Sequence, residues 1–376
     1  MPDNSKLKTK NSKLVATLLD WFATNARDLP WRRTRDPYAI WVSEIMLQQT
    51  QVKTVIPFWN RWMKELPTIE ATAKAPSAKI HKLWEGLGYY TRVRNLQKAA
   101  QFIVEKHGGK FPEKFEDILA LPGIGRYTAG AICSIAFNQP TPILDGNVIR
   151  VLTRLFGIGE NPKEKATNAR LWQLAKDLVG RAKNAKEKSS SPPSRPSRDT
   201  DSCSHLNQSL MELGALICTP RKAQCSICPV KKLCAAFKEN RVDELPNLGK
   251  RETATARHFI AFAVESNGRF LVCQRPSGVV NAQLWEFPNV EVTGTKPHAA
   301  AVIQKLVGVK PKKIQPLRTV KHSITRYRIT LEAVAVSLQK IPAKNGGVWK
   351  TPAQMRQLAF PSAHRQILAR LSPTNA

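Results

Sequence analysis

The chain contains 376 residues, of which 42% are hydrophobic, which is enough for two or three domains with buried cores. Its polar start lacks the apolar stretch of a signal peptide, and no later run is long and apolar enough to span a membrane, so we expect neither export nor membrane insertion. The 59 Lys and Arg residues against 28 Asp and Glu give a formal net charge of +31, which predicts a polyanionic partner, DNA or RNA.

The first part of the chain has the pattern of helices. Apolar residues such as Leu14 and Leu18 recur at helical spacing up to about residue 236, which predicts an all-α domain over residues 1–237. Within this domain, the Ser- and Pro-rich stretch 184–204 has no apolar period. We expect that stretch to be a disordered insertion.

The C-terminal part has a different period. The polar stretch 238–256, with a proline and a glycine, predicts an interdomain linker. After it, alternating and β-branched residues predict strands, and two apolar runs of helical period predict helices, so we expect a small α+β domain over residues 257–373. The strands are expected at 259–264, 269–274 and 327–336, and the helices at 298–306 and 362–371.

A helix that starts near Pro37 carries a candidate acid, Glu44. Asp36 is suited to cap this helix and Pro37 to its first position. Three of the four residues beside Glu44 at helical spacing are apolar, namely Ile40, Trp41 and Leu47. Such surroundings raise the pKa of a carboxyl and suit a general acid. The alternative is an exposed glutamate on an amphipathic helix.

A tight turn and a second carboxylate follow. Gly123 and Gly125 lie between two predicted helices, where backbone N–H groups at a helix start can bind phosphate. A plain helix–helix turn is the alternative. Asp145 precedes another apolar helix, where it is either a helix cap or a carboxylate that faces a developing cation. Two such carboxylates suit the cleavage of a glycosidic bond, and the basic chain together with the glycine turn suggests that the sugar belongs to DNA.

Four of the seven cysteines are clustered in the pattern C-x₆-C-x₂-C-x₅-C. They indicate one metal or cluster site, which fits a [4Fe–4S] cluster better than zinc, although zinc stays open. Clustered ligands and an odd cysteine count favour a reducing compartment, so we expect a cytoplasmic, nucleoid-associated protein. The four residues are Cys218, Cys225, Cys228 and Cys234.

Several motifs in this order closely resemble the MutY family of adenine DNA glycosylases, and the resemblance spans nearly the whole chain. The resemblance implies an all-α helix-hairpin-helix glycosylase, related to endonuclease III, with a six-helix lobe and a [4Fe–4S] lobe formed by residues 12–25 and 205–236. An α+β domain like that of MutT (Nudix) follows. The motifs are LPW at 29–31, WVSEIMLQQTQV at 41–52, GLGYYTRVRNL at 86–96, LPGIGRYTAG at 121–130, LDGNVIRVLTR at 144–154 and the four cysteines.

The resemblance also implies roles for single residues. Glu44 is expected to protonate adenine N7, Asp145 to stabilise the sugar cation and Asn147 to support the site, while Gly123 and Gly125 contact the DNA backbone. Flipping is required because the target atoms are stacked in the duplex. The flipped adenine is expected to contact Arg27, Trp31, Arg32, Leu47 and Gln208, and the opposite base to contact Gln49, Thr50, Leu87 and Tyr89.

Tyr127 distinguishes this chain from relatives with lyase activity. Endonuclease III-like enzymes carry a lysine here, which forms a Schiff base and leads to strand cleavage. A phenol cannot form that base, so we expect a monofunctional glycosylase.

The C-terminal domain resembles the MutT-like domain of the same family, which recognises 8-oxoguanine. The motif LWEFPN at 284–289 carries the resemblance, but the segment after it lacks the acidic cluster of a pyrophosphohydrolase, so we expect binding without hydrolysis. The recognition loop of the family, Phe-Ser-His, is replaced by Ile324, Thr325 and Arg326, of which Thr325 keeps a hydroxyl.

We therefore expect a monomeric enzyme that acts on double-stranded DNA containing adenine opposite 8-oxoguanine or guanine and leaves an abasic site. One alternative is an endonuclease III-like glycosylase with lyase activity. Another is a damage-binding protein without catalysis, which the two intact carboxylates, Glu44 and Asp145, argue against.

Overall fold

The computed structural model describes residues 4–184, 201–249, 253–294, 298–324, 326–342 and 346–371. The chain forms two compact units, Met1–Ala73 with Lys98–Arg251, and Lys74–Gln97 with Glu252–Ala376. Among the described residues, no helix combines the length and the apolar character needed to cross a bilayer.

The part of the chain before the linker is helical, as its sequence predicts. The helices are α1 (Asn4–Asn25), α2 (Pro37–Leu47), α3 (Val52–Glu65), α4 (Ile69–Lys74), α5 (Ser77–Trp84), α6 (Thr91–His107), α7 (Phe115–Leu119), α8 (Arg126–Phe137), α9 (Gly146–Phe156), α10 (Lys165–Asn184), α11 (Ser202–Leu216) and α12 (Ala235–Lys238).

Helix α2 begins where the sequence predicts. The side chain of Asp36 accepts a hydrogen bond of 3.0 Å from the backbone N–H of Tyr38, and Pro37 occupies the first helical position. Nearly all residues of α2 are buried. The helix therefore passes through the interior, and a polar side chain on it must find a partner there.

The four-cysteine segment packs in a core with α1, α9, α10 and α11. Leu18 of α1, Leu152 of α9, Leu171 of α10 and Leu210 of α11 belong to this core, together with Val230 of the cysteine segment. The predicted lobe of residues 12–25 and 205–236 thus also includes α9 and α10. This places the start of α9, where Asp145 lies, in the same lobe as the cysteines.

The predicted insertion 184–204 differs from the structure at its end. Helix α11 already begins at Ser202, so residues 202–204 are helical, while residues 185–200 lie outside the described residues. The side chains of Ser202 and Ser204 are buried. The Ser-rich composition concealed the helix start, because serine is favoured at both helix starts and loops.

The C-terminal part forms a mixed sheet with the strand order β3-β2-β1-β6-β5, in which β4 pairs with β1 and β7 with β2. Strands β1 and β6 are parallel, with a register that runs from Thr255 opposite Tyr327 to Glu265 opposite Ser337. The elements are β1 (Thr255–Ser266), β2 (Arg269–Gln274), β3 (Trp285–Glu286), β4 (Asn289–Glu291), α13 (Ala299–Val307), β5 (Lys313–Ile324), β6 (Tyr327–Ser337), β7 (Val348–Lys350), α14 (Pro352–Arg356) and α15 (Ser362–Leu371).

Alternation along β1 separates the two faces of this sheet. Ile260 and Phe262 belong to a core with Ile303 of α13, while Ala261 belongs to a second core with Ile367 of α15. The long strand β5 was not predicted. Its sequence is polar and contains Pro316, and the register with β6 shifts between Pro316 and Arg318, which interrupts the period on which strand prediction depends.

Candidate active site

One cleft of about 570 Å³ in the first unit is lined by charged and polar side chains from α2, α8, α11 and the adjoining loops. Its volume falls in the range of small-molecule sites. The cleft brings together these predicted site residues: Arg27, Trp31, Arg32, Glu44, Leu47, Gln49, Thr50, Tyr127, Asp145, Asn147 and Gln208.

Glu44 is the buried acid of the cleft, with only 5% of its surface exposed. Burial raises the pKa of its carboxyl to about 7; a hydrogen bond from Tyr127 and the charge of Arg32 oppose this rise, and the Asp145 carboxylate adds to it. The alternative of an exposed glutamate is therefore excluded. A carboxyl with this pKa can hold a proton near neutral pH and release it to a bound substrate.

Asp145 both caps α9 and lines the cleft. Its Oδ1 accepts a hydrogen bond of 2.8 Å from the backbone N–H of Val148, and its Oδ2 accepts one of 2.9 Å from Nδ2 of Asn147. Burial raises the pKa of Asp145, while these donors and the charge of Arg150 oppose that rise. The donors fix the orientation of the carboxylate, so the cap and a catalytic role are compatible.

Asn147 is itself held by a buried arginine of α9. Nη2 of Arg150 donates to Oδ1 of Asn147 at 2.8 Å and to the carbonyl of Gly214 at 2.7 Å. Nε of Arg150 donates to the carbonyl of Cys218 at 2.7 Å. A single guanidinium thus joins the side chain beside Asp145 to the backbone of the first clustered cysteine.

A charged residue that was not predicted, Glu212, also lines the cleft. It is 1% exposed and forms ion pairs with both Arg27 and Arg32. The sequence contains a signal for it, because a glutamate in the apolar run of α11 needs a buried partner. That signal does not reveal which arginines supply the charge.

The remaining predicted base contacts form the less charged part of the cleft. Trp31 is buried and meets Trp59 edge to face, with ring centroids 6.1 Å apart. Nε2 of Gln208 donates to Oγ of Ser204 at 3.0 Å, which holds its amide in one orientation. Gln49 has a positive φ of 55°, a conformation that non-glycine residues adopt mainly where the surroundings impose it.

The predicted hairpin is present between α7 and α8. Gly123 has a φ of +77°, which favours glycine, and Gly125 lies at the N-cap of α8, where no side chain caps the helix. A Cβ added to Gly125 would meet nothing within 4 Å. The first N–H groups of α8 therefore lack a side-chain cap, as in a phosphate-binding helix start.

The four clustered cysteines line one small cavity together with Arg154, Lys231 and apolar side chains. Nη1 of Arg154 donates to Sγ of Cys218 at 3.3 Å. Burial raises the pKa of the Cys228 thiol to about 11, and the charges of the three other cysteines contribute to this rise. Within the described residues, no three His, Cys, Asp or Glu side chains converge closely enough to hold a single metal ion.

The other predicted contacts lie in the second unit. Leu87 is buried, whereas Tyr89 is 44% exposed and has a φ of +48°. Tyr89 lines a cleft of about 510 Å³ that Ser323 and Ile324 also line. Thr325 lies outside the described residues.

Comparison with known proteins identifies two domains. Residues 42–177 match the family model of the HhH-GPD superfamily of base excision DNA repair proteins, and residues 260–370 match the NUDIX domain. Both matches agree with the fold class expected from the sequence, a helix-hairpin-helix domain followed by a MutT-like α+β domain.

Similar proteins cover almost the whole chain. The adenine DNA glycosylase of Mus musculus is 34% identical over 94% of this chain and 76% of its own length. That of Buchnera aphidicola subsp. Schizaphis graminum is 31% identical over 93% of this chain and 96% of its own length. The solved structure of a thermostable thymine-DNA glycosylase is 32% identical and covers 63% of this chain and 100% of its own, with a TM-score of 0.53. The chain belongs to the adenine DNA glycosylase family of base excision DNA repair enzymes.

Proposed function

We propose that the chain is a monofunctional DNA glycosylase that hydrolyses the N-glycosidic bond of adenine mispaired with 8-oxoguanine or guanine. The observation that carries this proposal is the buried acid Glu44, with a pKa of about 7, in the same cleft as the oriented carboxylate of Asp145. Paired carboxylates whose surroundings set different protonation states divide the acid and the charge-stabilising roles between them.

The reaction follows from these two groups. Protonated Glu44 gives its proton to N7 of adenine, which then leaves as the neutral base when the bond between its N9 and the sugar carbon breaks. The carboxylate of Asp145 stabilises the sugar cation that forms, and Asn147 keeps that carboxylate oriented. Water adds to the sugar carbon and passes a proton to the carboxylate of Glu44, which restores the acid and leaves an abasic site.

Adenine reaches this cleft only when it is flipped out of the duplex. Arg27, Arg32 and Gln208 offer donors to its edges, and Trp31 and Leu47 offer apolar surface. Gly123 has a positive φ in the turn before α8, and Gly125 presents open space at the N-cap, which leaves the first N–H groups of α8 accessible to a backbone phosphate. Gln49 and Thr50 lie at the same cleft as the base contacts, in keeping with a position beside the vacated stack.

The four cysteines are proposed to hold a [4Fe–4S] cluster. They line one cavity, and four thiolates around one cavity suit a [4Fe–4S] cluster with one thiolate per iron. A cluster held there would cross-link the lobe, and the hydrolysis itself needs no redox step. Iron and acid-labile sulfide analysis of the purified protein, with Cys228→Ser as the comparison, tests this assignment.

The second unit is proposed to recognise 8-oxoguanine opposite the adenine. Tyr89, the recognition-loop residue Ile324 and the preceding Ser323 line the same cleft there, although Tyr89 is far from the other two in sequence. Aromatic rings are suited to stacking on a base, and hydroxyl groups to hydrogen bonding with its edges.

We further propose that the protein acts as a monomer.

Single-turnover release of the base tests the proposed function. The substrates are duplexes with adenine opposite 8-oxoguanine, adenine opposite guanine, and thymine opposite guanine. We expect the wild type to release adenine from the first two and the Glu44→Gln variant to release none. Absence of adenine release by the wild type, or preferred release of thymine, would overturn the proposal; full activity of the variant would overturn only the role of Glu44.

A further inference from the structure

Glu212 receives an unusual number of hydrogen bonds for one carboxylate. Its Oε1 accepts from the backbone N–H of Arg27 at 2.9 Å, from Nε of Arg27 at 2.8 Å and from Nη1 of Arg32 at 3.1 Å. Its Oε2 accepts from Nη2 of Arg27 at 2.6 Å and from Nη2 of Arg32 at 3.0 Å. Both oxygens are therefore fully engaged, and Glu212 has no lone pair left with which to bind a substrate.

The two arginines are more exposed to the cleft than Glu212 is. Arg27 retains about a third of its side-chain surface, at 34%, whereas Glu212 retains 1%. Nη1 of Arg32 also donates to the carbonyl of Arg27 at 3.1 Å, which ties the two arginines to each other. The orientation of both guanidinium groups is thus set by one side chain of α11, Glu212.

Electrostatics gives the same carboxylate a second effect. Two guanidinium groups side by side in a cleft repel each other, and Glu212 offsets this repulsion. Its pKa is lowered to about 2, since the hydrogen bonds from Arg27 and Arg32 and the charge of Arg32 outweigh its burial, so it is ionised at every working pH. The groups that act on the pKa of Glu44 are Tyr127 of α8, Asp145 before α9 and Arg32.

We propose that Glu212 is a positioning residue for base excision: it fixes Arg27 and Arg32 in the orientation that receives the flipped base and balances their charge beside Glu44. This inference rests on the proposed function. Glu212 does not contact the substrate; it pre-organises the two arginines that line the base cleft.

The Glu212→Gln variant tests this role through a pH–rate profile of single-turnover adenine release. Loss of the pre-organised arginines is expected to lower the maximal rate roughly 10- to 100-fold. Loss of the negative charge leaves Arg32 unbalanced, which lowers the pKa of Glu44, so the rate should begin to fall at a lower pH than in the wild type. Glu212→Asp keeps the charge and should keep the wild-type pH dependence while the rate falls, and the exposed Glu160→Gln serves as the control.

A purely structural role predicts a different result. It predicts a smaller active fraction with an unchanged pH dependence, and that outcome, or full activity of Glu212→Gln, overturns the inference while the proposed function stands. Absence of adenine release by the wild type overturns the proposed function instead.

A paired variant covers the case in which Glu212→Gln does not fold. Arg27→Met with Glu212→Gln removes one charge of each sign, so it keeps the net charge of the cluster. Because Glu212 also holds and balances Arg32, this pair should release adenine more slowly than Arg27→Met alone, and its rate should begin to fall at a lower pH. A pair that equals Arg27→Met in both rate and pH dependence would overturn the inference.

Discussion

The hydroxyl of Tyr127 donates a hydrogen bond of 2.9 Å to Oε2 of Glu44, and it lies 3.3 Å from Sδ of Met211. Tyr127 is thus part of the surroundings that set the protonation of the acid. The bond favours the carboxylate form of Glu44 and holds its pKa below the value that burial alone would give. Tyr127 therefore acts on the protonation of Glu44.

Removal of this hydroxyl should shift the pH dependence of the reaction upward. In Tyr127→Phe the carboxylate of Glu44 loses a donor, its pKa rises, and the proton is retained to higher pH. The rate of single-turnover adenine release should then fall at a higher pH than in the wild type, where the fall is expected near pH 7. A downward shift, or none, would show that the bond does not control the acid.

Tyr127 should also prevent covalent capture of the DNA. A phenol forms no Schiff base with the abasic sugar, so borohydride treatment of the wild type with its substrate should yield no more trapped complex than Glu44→Gln does. The measurement is denaturing electrophoresis beside a true glycosylase/lyase. Trapping at the level of that lyase would reassign the chain to the bifunctional class.

The acid should destabilise the fold when it ionises. The pKa of Glu44 rises from an ordinary value of 4.5 to about 7 on folding, so the native state binds this proton more tightly than the unfolded chain does. The resulting stabilisation is complete below pH 4.5 and is lost as the pH rises through 7, by roughly 3 to 4 kcal/mol at about 1.4 kcal/mol per pKa unit.

Substitution of Glu44 by glutamine should reverse that loss. We expect Glu44→Gln to gain stability relative to the wild type at pH 8.5 and not at pH 4.5, as followed by urea unfolding midpoints. Glu160→Gln, an exposed pair member in the same unit, should show no such pH dependence. Equal effects of Glu44→Gln at both pH values would contradict the raised pKa.

The parts of the site that the sequence predicts correctly are those that local chemistry determines. Asp36, Pro37 and the apolar neighbours of Glu44 lie within a few turns of one another, and Asp145 precedes its own helix, so position along the chain is enough. The motif spacing adds the remaining contacts through resemblance to a family. Local chemistry depends on residues that are close in sequence, and the resemblance depends on motifs already known from the family.

The ion pairs of Glu212 could not be predicted in this way. Glu212 and Arg27 are separated by 185 positions, and only the packing of α11 beside α1 and its following loop brings them together. Arg27 and Arg32 are predicted as base contacts, yet most of their side-chain hydrogen bonds go to the carboxylate of Glu212. Tertiary packing, rather than local pattern, decides which donors a charged residue offers to a ligand.

Gly214 should be required for the position of Asn147. A Cβ built on Gly214 would lie 2.7 Å from Cβ of Asn147, closer than packed atoms allow. Neither Cβ atom can rotate away, because each is bonded directly to the backbone. Gly214→Ala should therefore displace Asn147 from Asp145 and slow adenine release by roughly 10- to 100-fold. Gly180→Ala, whose Cβ meets nothing within 4 Å, is the matched control and should gain helix stability without loss of rate. Retained activity in Gly214→Ala would mean that Asn147 tolerates displacement.

Tyr89 should contribute to discrimination between 8-oxoguanine and guanine. Its ring is exposed and lines the cleft of the second unit beside Ser323 and Ile324, and its φ is +48°. Tyr89→Asn removes the ring with a residue that tolerates this backbone conformation, so the change isolates the ring. Stacking of a base on an aromatic ring contributes about 1–3 kcal/mol, so the ratio of excision rates opposite 8-oxoguanine and guanine should fall roughly tenfold or more. Val348→Ala, an exposed apolar residue of β7 in the same unit, should leave the ratio unchanged. Equal slowing on both duplexes would assign Tyr89 to DNA binding in general, because only a contact made preferentially with the oxidised base can change the ratio.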